Sequence, residues 1–349
     1  MEYTKPPLTY EQQVELLINR GLIVDDKERA IRLLGHISYY RLSAYMLPFK
    51  KLENNNYLNQ FKEGTRWDDV YNLYLFDRKL RLLVFDAIER IEISIRTQIT
   101  YQLSHKYGSH WQMNADIFKL NTRTKNGKII TIDVHKELCQ HINEQLKSNQ
   151  TETFVQHYIN IYDTPVMPPS WMCTEIMYFN QLSRICMSLK SRKDLVDIAN
   201  VYSLPPAQFC SWLHTINYVR NLCAHHSRLW NRDFNIVPQK LNFSKKLHWI
   251  SNTKCVQSKK TYYFLCIINF TQESNFMLRN AESHEASRYV NYINCCLWRK
   301  RHTLYNPDTG AFTDVMHTPA HISSCQICHT RNQQKHHDKT QQISYSRPP

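Results

Sequence analysis

The chain has 349 residues, 42% of them hydrophobic, enough for one large core or two ordinary ones. Its six glycines supply few positions of positive φ, which tells against a turn-rich β fold and for helices on short connections. A formal charge of +14 favours a polyanionic partner, nucleic acid first and an anionic membrane surface second.

The first residues, "MEYTKPPLTYEQQ", lack the charged-then-apolar pattern of a secretion signal, so the protein is expected in the cytoplasm. Thr9 and Gln12 have capping-box spacing and Gly21 is a natural stop, which predicts a first helix. Asp25, Glu28 and Gly35 bound a second in the same way. "ISYYRLSAYMLPF" predicts a third, ending at Pro48. From Asp68 to Ser104, the residues Leu80, Val84, Ala87, Ile88, Ile91, Ile95 and Ile99 recur at three- and four-residue spacing, the strongest helical signal in the chain. The other side carries Arg78, Glu89, Glu92 and Arg96. On spacing alone that side reads as a solvated face with a Glu92–Arg96 ion pair.

Asn126-Gly127, between polar and β-branched residues, predicts a small hairpin. Helices are expected near Asp133–Ser148 and Glu152–Ile161. After the proline-rich "DTPVMPPS", Ser170 should cap one helix through "WMCTEIMYFNQLSRICMSL". Another is expected from Lys193 to Tyr202, and "SLPPAQ" then leads into the helix that carries the candidate site. The longest apolar run, "YYFLCIINF" from Tyr262, is half of the roughly 18 residues a spanning helix needs. The cysteines number 11, and several stand alone in apolar segments (Cys139, Cys173, Cys186, Cys210, Cys266), as free buried thiols in a reducing compartment would. Residues 1–270 are thus expected to form a helical domain. Residues 271–349, poor in aliphatics toward the end, are expected to be a low-order tail. Within that tail "CQICH" has the pattern of haem attachment, and Cys325, Cys328, His336 and His337 could be written as a zinc site. Export is not expected and the spacing is short, so neither is adopted and no cofactor is assigned.

The stretch "VRNLCAHHSRLWNR", from Val219, crowds basic and apolar residues together. On a helical wheel centred on Asn221, the residues His214, Asn217, His225, Arg228 and Arg232 fall within about 40°. Trp212, Ile216, Val219, Cys223, His226 and Trp230 fall on the far side. His225 is therefore expected on a polar stripe and His226 in the core, with Arg220 to one side and within reach of a ligand. An arginine and a histidine at one phosphate can cleave a phosphodiester without metal. The imidazole takes the proton of a ribose 2′-hydroxyl, and the guanidinium holds charge on the phosphate. A polar face lying against another helix fits the spacing equally well.

"RNLCAHHSRLWNR" resembles the signature of the Abi family (AbiD/AbiF type), the abortive-infection phage-resistance proteins, within the HEPN superfamily. "KPPLTYEQQVELLINRGL", "ISYYRLSAYMLPF", "FDRKLRLLVFDAIERIEISIRTQITYQLSHKYGSHW" and "PPSWMCTEIMYFNQLS" resemble further blocks of that family, over about residues 5–270. Asn180 stands where the family suggests glycine, and the likeness fades after about Thr271. The resemblance implies an all-α HEPN-like bundle, a homodimer whose motif helices share a cleft, and RNA cleavage without metal. By position, Arg220 and His225 match the catalytic pair and Asn221 the polar residue after the arginine. Glu89, Glu92 and Arg96 match a charged stripe that would orient Arg220, and Arg228, Arg232, His214 and Asn217 are expected to bind RNA. The implied function is an antiphage endoribonuclease; the alternative is a non-catalytic RNA-binding regulator of the same family. Expected partners are RNA, a second copy, and a regulatory RNA or antitoxin, with no membrane.

Overall fold

The computed structural model describes residues 2, 4, 6–148, 151–241 and 257–274. The chain divides into two compact units, Met1–Asn280 and Ala281–Pro349, and every described residue belongs to the first. The expected tail, beyond its first four residues, and the Cys325–His337 motifs lie outside the described residues.

Three short helices open the chain. Helix α1 (Tyr10–Asn19) starts on the expected box: the Thr9 hydroxyl accepts from the Gln12 N–H, and the Gln12 side chain accepts from the Thr9 N–H. Helix α2 (Lys27–Ile37) is capped by Asp26 rather than Asp25, and it continues through Gly35. Ser38, at φ 65°, closes α2 and caps α3 (Tyr39–Met46) with its hydroxyl. A hairpin that no sequence expectation covers follows, β1 (Lys50–Glu53) against β2 (Asn56–Phe61). It turns on Asn54 and Asn55, both left-handed, a backbone that asparagine tolerates better than most residues.

Helix α4 (Trp67–Tyr107) is 41 residues long, roughly 60 Å at 1.5 Å per residue, and the bundle is built around it. Its expected stripe is the buried one: Leu80, Val84, Ala87, Ile88, Ile91, Ile95 and Ile99 are all at most 3% exposed. Each such aliphatic contributes roughly 1.5–3 kcal/mol relative to exposure. Gly108, at φ 90°, ends the helix.

The predicted hairpin forms as β3 (Asn121–Lys125) and β4 (Lys128–Ile132), turning on Asn126-Gly127. Helices α5 (Val134–Leu146) and α6 (Thr153–Ile161) come next. The single helix expected after Ser170 is instead two, α7 (Ser170–Cys173) and α8 (Phe179–Ser188). Between them the Met177 carbonyl accepts from Arg96 and the Ile176 carbonyl contacts His141, so side chains satisfy groups that a continuous helix would have used itself. Helices α9 (Arg192–Asn200), α10 (Pro206–Ala224) and α11 (Thr261–Ser274) complete the bundle. Helix α10 packs on α4, α8 and α9, and α11, which contains the longest apolar run, packs on α4. Among the described residues no helix is long and apolar enough to cross a membrane. Among the described residues the fold is all-α with two small hairpins.

Candidate active site

Helix α10 ends before the second half of the motif. The His225 N–H makes the last helical bond, to the Asn221 carbonyl. His226 then takes a left-handed backbone, φ 55°. Its N–H bonds the Cys223 carbonyl and the next N–H, of Ser227, reaches back to Leu222. These two bonds make a Schellman stop, with histidine where glycine is usual. This corrects the helical wheel. His225 is the exposed C-cap directly after α10, and Arg228 and Arg232 do not continue its stripe; they follow the helix stop and are half-buried. The Arg232 guanidinium donates to the Arg228 carbonyl at 3.2 Å. His226 is not in the core: it is exposed, and its carbonyl accepts from Arg41 at 2.7 Å. Asn217, expected on the open stripe, is 8% exposed, whereas His214 is exposed.

The helical part of the motif lies beside an open pocket of about 350 Å³ lined by Phe85, Glu89, Glu92, Ile93, Arg96 and Arg220. Glu92 stands between two arginines, 3.1 Å from Arg96 and 4.0 Å from Arg220. Arg96 also donates to the Met177 carbonyl at 3.1 Å. Glu92 and Arg96 are only 17% and 11% exposed, so their ion pair is largely covered rather than on a solvated face. Glu89 lines the pocket from an exposed position. The Arg220 guanidinium lies 6.0 Å from the centre of the Phe85 ring, at the outer limit of a cation–π contact, and 3.5 Å from the Asn221 side-chain oxygen. Cys223 is buried, which pushes its thiol up to about 12, so it is not a thiolate nucleophile near neutral pH.

Sequence reasoning missed the group that fixes the segment after His225. Asp77 of α4 is completely buried. Its carboxylate accepts from the Leu229 N–H at 3.1 Å, the Trp230 N–H at 2.6 Å, the Tyr45 hydroxyl at 2.6 Å and the Arg81 guanidinium. Burial and the adjacent carboxylate hold the Tyr45 phenol well above its ordinary pKa, so it remains a donor. Asp77 is three residues before Leu80 and continues the stripe of Leu80, Val84 and Ile88. An acid on the apolar face of a helix, with Arg81 four residues on, was the available signal. No sequence pattern points to its backbone partners 152 and 153 residues away.

The protein is thus a helical bundle that displays arginine, asparagine and histidine at the exposed end of one helix, beside a pocket of mixed charge. It belongs to the Abi-like family: the family model described as Abi-like protein matches residues 32–231, more than half of the 349-residue chain. Neither a curated protein nor a solved structure matches the chain. Membership in the family supports a part in abortive infection and phage resistance.

Replacing Asp77 by alanine should leave Arg81 buried without its ion-pair partner and two backbone N–H groups unpaired. Chemical denaturation should show a loss of about 3–5 kcal/mol; a loss below about 1 kcal/mol would contradict the anchoring role. His226→Gly should behave oppositely, since glycine carries no penalty for a left-handed backbone. Its melting temperature should match or exceed that of the wild type, corresponding to a gain of up to about 1 kcal/mol. A clear loss would mean that the imidazole supports the fold.

Proposed function

We propose that the protein is a metal-independent endoribonuclease of antiphage abortive infection, acting in the cytoplasm as a homodimer. The observation that carries this reading is the presentation of Arg220, Asn221 and His225 at one exposed helix end, with the following chain tied down by Asp77. His225 is the general base: its neutral imidazole takes the 2′-hydroxyl proton as that oxygen bonds to the adjacent phosphorus. Arg220 neutralises charge building on the non-bridging oxygens. The bond from phosphorus to the 5′-oxygen breaks, and that oxygen takes a proton from water or from the imidazolium of a second subunit. The products are a 2′,3′-cyclic phosphate and a 5′-hydroxyl.

Glu92, shared between Arg96 and Arg220, limits the directions Arg220 can take, while Asn221 contacts either Arg220 or a phosphate oxygen. Glu89 is open to a second subunit or to substrate. His214, Arg228 and Arg232, with the net charge of +14, supply phosphate contacts along the strand; Asn217 is too buried to share that task. One helix end forms half of a two-sided cleft, which is why a second copy is part of the proposal. A regulatory RNA or antitoxin would act by covering that cleft.

The test is incubation of labelled RNA with purified protein in EDTA. Wild type should cleave it and leave a cyclic phosphate. His225→Ala and Arg220→Ala should lose about 100-fold or more with unchanged helical circular dichroism. Normal cleavage by His225→Ala would remove the catalytic assignment. RNA binding without any cleavage by wild type would establish the non-catalytic regulator in its place.

A further inference from the structure

The pocket beside Arg220 contains one carboxylate without a task. Glu92 is shared between Arg96 and Arg220. Glu89, a turn earlier on α4 and exposed, has no ion-pair or hydrogen-bond partner among the described residues. Exposed glutamates commonly meet only water. This one lines the same pocket as the proposed phosphate-binding arginine, where an unpaired acid repels the phosphates that a net charge of +14 attracts. Apolar groups stand one helical turn to either side of it. They are Phe85, whose ring centre lies 6.0 Å from the Arg220 guanidinium, and Ile93, which is 55% exposed. Two arginines and two glutamates line the pocket, so their formal charges cancel. Its volume of about 350 Å³ is at the small end of ligand-sized cavities. Apolar walls, no net charge and a free pair of acceptor oxygens suit a flat, uncharged ligand that brings donors. They do not suit a second phosphate.

We propose that this pocket is a specificity site for guanine, with Glu89 as the residue that reads the base next to the phosphate held by Arg220. The inference rests on the endoribonuclease reading above. Guanine alone among the four bases brings two neighbouring donors, N1–H and the N2 amino group, to its Watson–Crick edge. Adenine, cytosine and uracil each bring one donor group to that edge. A carboxylate accepts through both oxygens, and a hydrogen bond to an ionised acceptor is the stronger kind. The face of the base lies against Phe85 and Ile93. A base and its phosphate are joined through one sugar, so a base in the pocket leaves its phosphate at the Arg220 guanidinium on the pocket wall. Glu92 does not share the reading, because two arginines already occupy it.

The test uses the full chain and oligoribonucleotides that differ only at one central nucleotide: guanosine, adenosine, cytidine, uridine or inosine. Inosine keeps N1–H and lacks the N2 amino group. Wild type should cut beside guanosine about tenfold or more faster than beside the other three standard nucleotides, and inosine should lose much of that advantage. Glu89→Ala and Glu89→Gln should lose the guanosine preference with unchanged helical circular dichroism. In the His225→Ala chain the same ranking should appear as affinities read by anisotropy, which separates base reading from the chemical step. Equal cutting beside all four nucleotides overturns this inference and leaves the endoribonuclease reading standing. A guanosine preference that is insensitive to inosine, or that survives Glu89→Ala, also overturns it, because another group then reads the base. Absence of both RNA binding and cleavage by the wild type overturns both readings. If Glu89→Ala changes the mass by light scattering and leaves the nucleotide ranking intact, the carboxylate belongs to a subunit interface and the inference fails.

Discussion

The segment that ends the family motif is held in place by one buried carboxylate. Asp77 has lost all its contact with water, and an ionised carboxyl in that position is tolerated only when its lone pairs are filled. Four groups fill them, from α3, from α4 itself and from the chain beyond α10. Removing any one leaves the buried carboxylate with an unfilled lone pair. This ties parts of the chain more than 150 residues apart to a single point on the long helix. The backbone N–H groups are the informative partners, because they fix the path of the main chain and not merely one rotamer.

A second restraint comes from the other side. The Thr261 hydroxyl at the start of α11 donates to the Leu229 carbonyl at 2.8 Å, so the N–H and the C=O of Leu229 are both held. Asp233 next pairs with Lys259 and Lys260, which hold its carboxyl below the usual carboxylate range. The turn at His226 is closed by Arg41. His225 itself makes its backbone bond to Asn221 and leaves its side chain exposed. Rigid main chain on either side of an open imidazole is the arrangement that a positioned base requires.

Much of this was legible in the sequence, and the parts that were not share a cause. The α4 stripe, the Thr9 box and the Asn126-Gly127 turn are local, and each depends on residues a few positions apart. The motif's Arg220 and His225 stood out by resemblance to the family signature, since their spacing alone fits a packed polar face equally well. Their surroundings were drawn wrongly because the wheel carried α10 through His225, His226 and Arg228. A histidine in the left-handed position of a helix stop has no sequence mark comparable to glycine. Burial of Asn217 depends on what packs over α10, and the break between α7 and α8 depends on side chains from α4 and α5. The Asp77 anchor combines both kinds: an acid on an apolar stripe is visible, whereas the backbone donors it receives are not.

Amide hydrogen exchange at Leu229 and Trp230 tests most directly whether the site is built on Asp77. In the folded wild type both amides should be protected nearly as well as the central amides of α4, although they lie in a segment without regular secondary structure. In Asp77→Asn the two should exchange much faster while the α4 amides remain protected. Rapid exchange at Leu229 and Trp230 in the wild type would contradict the account, since the loop beyond His225 would then not be held by the carboxylate.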